Sequence, residues 1–312
     1  MSGNLKQLSI SSSILVFLVL VPLITRRDDV LTWLCLTLQY IILSHSWNII
    51  GGYAGQRSLG HAAFFGLGAL IARYLWLSGL PLFLGLLAGA STAAIFAIII
   101  GFPTFRMRGI YFAIGTLVLA EILRIIFETT LPQASVFPTR LLATYNLVPR
   151  YYLSLLIAGL TVATVYWISH STLGLGMISI REEQDAAEAS GVDTLRHKLL
   201  AFAISSFFAG LAGGVFTYYA AALRPGQMFE PVWTFDAVVI VFVGGVGTIS
   251  GPIIGAVFFV LLKQLLSIYL PGGIHILVFG VLFIIVVLFL PGGLIKLMPK
   301  LRKRISRGRH PY

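Results

Sequence analysis

Ile49-Ile50-Gly51-Gly52-Tyr53-Ala54-Gly55-Gln56-Arg57-Ser58-Leu59-Gly60-His61 interrupts an otherwise apolar stretch of chain with four glycines and a few polar side chains. The runs on either side, residues 30–50 and 61–78, are each long enough to cross a bilayer, which takes roughly 17 to 25 apolar residues. Backbone that leaves helical geometry at membrane depth survives only where it packs against protein or lines a wet cavity. Gly51, Gly52, Tyr53, Gly55 and Ser58 are therefore candidates for lining a polar substrate pathway. A plain cytoplasmic turn between two spans is the other reading these residues allow. Late in the chain Gly244-Gly245-Val246-Gly247-Thr248-Ile249-Ser250-Gly251-Pro252 makes a similar break, which adds Gly244, Gly245, Gly247 and Ser250 to the pathway candidates. Both segments run Gly-Gly, then Gly, then Ser close to Gly, then an apolar helix, a pattern that hints at two related halves as in transporters built from internal repeats.

The composition agrees with a membrane setting. Of 312 residues 58% are hydrophobic and 11% charged, against roughly 25% charged in an ordinary soluble domain, so a soluble globule and a disordered chain are both excluded. Runs at 8–24, 30–50, 61–78, 81–101, 109–128, 151–168, 199–223, 234–249, 251–269 and 274–290 predict about ten transmembrane helices. The expected fold is all-α and polytopic, one transmembrane domain over residues 1–312. The first run follows Lys6 but leads into Arg26-Arg27-Asp28-Asp29 without a small-residue cleavage pattern, so it is read as a span that stays.

The net charge of +11 would suit nucleic acid, but position decides otherwise. Seven of the 22 basic residues lie after Pro291 with no acid among them, as a basic tail over 291–312. With ten crossings and that tail inside, fourteen basic residues face the cytoplasm against five outside, and both termini are cytoplasmic. Charges inside spans are few and are expected to be paired or near an interface: Glu121 with Arg124 three residues on, and Asp236 and Lys263 near span ends. One cysteine, Cys35, permits no internal disulfide. The six histidines show no metal-ligand spacing, and no Gly-x-x-x-x-Gly-Lys-Ser/Thr loop is present. The chain carries no recognisable catalytic centre and binds no cofactor of its own; it is not expected to be an enzyme. Small residues at Ala209, Gly210, Ala212, Gly213 and Gly214 predict close helix packing.

The longest polar insertion is the loop at about 170–198. Glu182, Glu183 and Asp185 suit a helix start, Ala186, Ala187 and Ala189 its interior, and Gly191 its stop, with Asp193 capping the next helix. Ala186 and Ala189 then share a bare face that can seat in another protein's groove; a solvated helix that touches nothing is the alternative.

The run Trp47-Asn48-Ile49-Ile50-Gly51-Gly52-Tyr53-Ala54-Gly55-Gln56-Arg57-Ser58-Leu59-Gly60-His61-Ala62-Ala63-Phe64-Phe65-Gly66-Leu67-Gly68-Ala69 closely resembles the signature of M-type permease subunits of branched-chain amino-acid ABC importers. Phe105 to Leu117, Ile180 to Gly191, Lys198 to Gly213 and Gly244 to Pro252 extend the likeness in order along the chain. The resemblance implies a bacterial inner-membrane permease that pairs with a second, homologous permease subunit. It also implies two cytoplasmic ATPases holding ATP and Mg, and a periplasmic solute-binding protein. On the same ground Glu182, Glu183, Ala186, Ala187, Ser190 and Gly191 are expected to form the segment that couples to an ATPase. Arg57 departs from the family pattern, and urea or short-chain amide importers use related permeases. An ion-coupled secondary transporter is the rival from another class; it should carry unpaired acids at mid-span.

Overall fold

A computed structural model describes residues 16–25, 27–131, 145–220, 223–270 and 292–296, with isolated positions between 274 and 288. Residues 16–24 are helical (α1) and lead into α2, Asp28–Trp47. Then come α3 His61–Leu77, α4 Leu82–Thr104, α5 Ile110–Thr130, α6 Leu147–Ser169, α7 Thr172–Glu182, α8 Gln184–Ala189, α9 Thr194–Tyr219, α10 Pro225–Met228, α11 Val232–Gly244 and α12 Ser250–Tyr269. The all-α expectation holds among the described residues.

Of the ten expected spans, the described residues carry seven at full length. Seven described segments are long and apolar enough to cross a membrane: Asp28–Tyr53, Leu82–Thr104, Ile110–Thr130, Leu147–Ser169, Thr194–Tyr219, Pro225–Gly244 and Ser250–Tyr269. The expected span at 61–78 is an apolar helix of 17 residues, His61–Leu77, which starts where expected after Gly60 and is ended by the Ser78-Gly79 turn. The first expected span lies outside the described residues up to position 15, and the last, with the basic tail beyond 296, lies largely outside them.

α3, α4 and α9 form the centre. They approach through bare backbone: a Cβ on Gly68 would collide with the backbone of Gly210, one on Gly213 with the carbonyl of Phe65, and one on Gly89 would come 2.6 Å from the carbonyl of Gly68. The small-residue run in α9 therefore packs helices, as expected. Aromatic rings fill the end of this trio, with Phe202 edge-on to Phe64, Phe105 and Phe112. α2 runs beside it against α6, α9, α11 and α12. The outer helices are left apolar on their far sides; Ile110, Ile114, Val118, Ile122 and Ile125 of α5 are all exposed, as lipid-facing residues are.

Two ion pairs lie inside the described spans. Arg124 donates through Nη2 to Glu121 at 2.5 Å and through Nε at 2.9 Å. Asp236 and Lys263 are more than two separate charges near span ends. They meet each other at 3.2 Å across α11 and α12, and the Tyr40 hydroxyl donates to the same carboxylate oxygen at 2.8 Å. Burial explains the pairing: the Asp236 side chain is only 13% exposed, so its charge is met within the protein. Cys35 is buried and free.

Candidate functional site

α2 does not end at the first glycine pair. It passes into a π-helical turn, Asn48–Tyr53, which one inserted residue produces and which recurs at functional positions in membrane and soluble helices alike. Every residue of that turn is buried, so the segment as far as Ala54 is not a surface turn; only Arg57 emerges beyond it. Trp47 folds over it and donates from Nε1 to the carbonyl of Ser58 at 2.7 Å. The following backbone is tied to other helices: Leu59 N–H donates to Thr116 Oγ1 at 3.0 Å and Ala62 N–H to Thr234 Oγ1 at 2.8 Å. These two threonines satisfy donors at a helix start that would otherwise be buried unpaired.

The second break meets the first. Asn48 uses both ends of its amide: Oδ1 accepts from Gly247 N–H at 2.9 Å, and Nδ2 donates to the carbonyl of Thr248 at 2.9 Å. His45 Nε2 stands 3.0 Å from the carbonyl of Ile249. Gly247 adopts φ +71, a conformation open to glycine at little cost, and a Cβ there would fall 3.2 Å from the carbonyl of Gly52. Thr248 Oγ1 accepts from Gly251 N–H at 3.0 Å and so caps α12. From the other side Gly293 and Ile295 close on Gly245.

The pathway candidates are thus divided by the structure. Gly52, Gly55 and Gly247 lie together at this crossing, with Gly244 and Gly245 packed behind it. Tyr53 and Ser58 are buried beside it, Gly51 lies against the Trp47 ring, and Ser250 opens α12 with its side chain exposed. Asn48, His45 and Thr248 were not singled out from the sequence. An asparagine directly ahead of a Gly-Gly pair in an apolar run is the signal that marks the first of them.

Below the crossing lies the hairpin of α7, α8 and α9. Ser171 caps α7 by accepting from Gly174 N–H, and Asp193 caps α9 by accepting from Arg196 N–H at 3.0 Å. α8 ends where Gly191 turns at φ +85, and Val192 N–H returns to the carbonyl of Ala187 at 3.0 Å. Glu182, Glu183, Ala186 and Ser190 are exposed, as are Ala189 and Gly191, whereas Ala187 is 4% exposed and faces the body. Thr194 and Gln184 both donate to Glu188, which holds its carboxyl below the ordinary value of 4.5. A cavity of about 500 Å³ opens between this hairpin and the first break, walled by Arg57, Arg108, Glu183, Asp185 and Lys198.

Deeper in the bundle Ser205 donates to the Ser46 carbonyl at 2.6 Å and accepts from His61 Nε2 at 2.8 Å. His61 is thereby a buried helix-end group held through Nε2 by one hydrogen bond. Among the described residues no group of three or more His, Cys, Asp or Glu could hold a metal ion.

The model of the family described as branched-chain amino acid transport system, permease component, matches residues 30–287. Two curated relatives are high-affinity branched-chain amino acid transport system permease proteins named LivM. The one from Escherichia coli is 29% identical across 94% of this chain and 76% of its own length, and the one from Salmonella typhimurium is 28% identical across 98% and 79%. A probable branched-chain amino acid transport permease protein LivM of Methanocaldococcus jannaschii is 26% identical over 44% of each chain. No solved structure matches. A multi-helix membrane body with buried glycine breaks, and a family model spanning most of it, establish that this chain belongs to the branched-chain amino acid transport system permease family.

Proposed function

We propose that this permease subunit forms one half of a substrate gate in an ABC importer, worked by ATP hydrolysis in separate cytoplasmic subunits. Branched-chain amino acids are the substrates that its relatives' names support. A second, homologous permease completes the pathway, two ATPases holding ATP and Mg sit below, and a solute-binding protein delivers cargo from outside. Both termini and the α7–α9 hairpin face the cytoplasm in this reading, and the protein resides in the bacterial inner membrane. The single observation that carries it is the crossing of the two glycine breaks above an exposed hairpin helix.

Mechanically the crossing is a contact that can change state. It is held by a few hydrogen bonds between irregular backbone segments, while the trio α3, α4 and α9 beside it is locked by backbone packing. Closure of the ATPases shifts α8, the breaks repack, and one side of the pathway opens as the other shuts. Glu182, Glu183, Ala186 and Ser190 offer α8 to the ATPase; Ala187 holds it to the body, and Gly191 fixes its end.

Reconstitution with the partner subunits in proteoliposomes tests the proposal: ATP-dependent uptake of labelled leucine, isoleucine or valine is the expected result. Uptake of urea or a short-chain amide in their place would reassign the substrate. Uphill transport by this chain alone under a proton or sodium gradient would overturn the ABC mechanism. In the described spans Glu121 and Asp236 are each satisfied by a cation, which leaves neither poised as an ion carrier.

A further inference from the structure

Arg181 stands where the hairpin touches the crossing. Its Nη1 donates to the carbonyl of Gly52 at 2.8 Å, at the end of the π turn, where helical partners for carbonyls run out. The same nitrogen lies against Gly247 of the second break: a Cβ on Gly247 would come 2.6 Å from it. The aliphatic stem fills the notch beside Gly55, where a Cβ would come 2.8 Å from Arg181 Cγ. Its remaining edge is fixed by Glu182, whose Oε1 accepts from Nε at 3.1 Å and from Nη2 at 2.6 Å. Three glycines, from both breaks, thus border one arginine: Gly52 and Gly247 at its guanidinium and Gly55 along its stem.

The other end of the lever is as tightly defined. Arg181 belongs to the last turn of α7, and the single extended residue Glu183, at φ −156 and ψ 110, separates that helix from α8. A displacement of α8 of an ångström or more is therefore delivered to Arg181 with little slack. A charge-assisted hydrogen bond with a planar fork is directional, so a shift of that size breaks the bond to Gly52.

We propose that Arg181 is a positioning residue that couples the hairpin to the gate, holding the two glycine breaks together in the state seen here and releasing Gly52 when α8 moves. The proposal rests on reading α8 as the ATPase docking helix. The sequence alone presents Arg181 as one more cytoplasmic basic anchor.

The test uses the whole complex in proteoliposomes and reads three quantities in one preparation: ATPase subunits retained on affinity purification, ATP hydrolysed, and labelled leucine moved per ATP. For Arg181→Ala the expected result is full retention, hydrolysis within about twofold of wild type, and a leucine-to-ATP ratio at least tenfold lower. A ratio within twofold of wild type overturns the proposal. So does joint loss of hydrolysis and uptake in an assembled complex, which marks a purely structural residue. If the alanine variant does not assemble, Arg181→Met decides by the same ratio, since it keeps the stem beside Gly55 and removes every donor; failure of both to assemble overturns the proposal. Ala186→Trp is run in parallel to separate the two ideas. Full ATPase retention on that variant overturns the docking reading and the coupling role with it, whereas lost retention there beside an unchanged ratio in the Arg181 variants overturns the coupling role alone.

Discussion

Two parts of the molecule are rich in glycine for opposite reasons. In the trio of α3, α4 and α9, Gly68, Gly89, Gly210 and Gly213 stay within regular helices and let backbone press on backbone. At the crossing, Gly52 lies next to last in a π turn and Gly247 takes a left-handed conformation, and the segments are joined by the two ends of one asparagine amide. Helix pressed on helix has no second arrangement close by in energy, while a contact of a few hydrogen bonds between irregular segments does. The same residue type therefore builds a frame in one place and a joint in the other.

The comparison breaks first if the frame tolerates bulk. Gly213→Leu drives a side chain into the carbonyl of Phe65, and a stability loss of about 3 kcal/mol or more is expected, read as a collapse of the melting temperature of the purified protein in detergent. Next in size is Asn48→Leu, which keeps the branched shape but is bulkier and leaves Gly247 N–H and the Thr248 carbonyl without their partner. A loss of about 2 kcal/mol is expected, with uptake at least tenfold down in an assembled complex; uptake near wild type would show that the joint is ornamental. Lys263→Met belongs to neither region. It strips the cation from a carboxylate that Tyr40 still supports, so stability should fall by about 1 kcal/mol with transport per ATP unchanged. A change in that ratio would move the Asp236 cluster into the transport machinery.

The smallest effect is at the hairpin. Because the Glu188 carboxyl is held below its ordinary value, its contribution to the fold is fully present above the unfolded carboxylate range and is lost as pH falls through the lowered value. Amide exchange in 184–194, taken relative to its intrinsic rate at each pH, should be independent of this group from pH 8 to pH 5 and rise below about pH 4.5. Glu188→Gln should flatten that rise; an unchanged profile would remove the carboxylate from the account.

The parts of this structure legible in the sequence are those governed by neighbours along the chain. Long apolar runs gave the helices, Asp193 and Gly191 gave the limits of the hairpin elements, and spacing alone paired Glu121 with Arg124. What sequence could not supply is long-range. Asn48 and Thr248 are 200 positions apart, Arg181 and Gly52 are 129 apart, and nothing local distinguishes their side chains from a stray polar residue and a basic anchor. The meeting of Asp236 and Lys263 was hidden for the same reason, since it depends on how α11 and α12 fold back on each other. The π turn was visible only as a weakness in the helical pattern: glycines mark where regular winding fails without saying what replaces it.

Cys35 is the sole thiol of the chain, and it is sealed inside the bundle at 2% exposure. Maleimides and spin labels added to the unaltered protein thus find no fast target, so a cysteine installed on either side of the crossing becomes a single-address reporter without first building a thiol-free background.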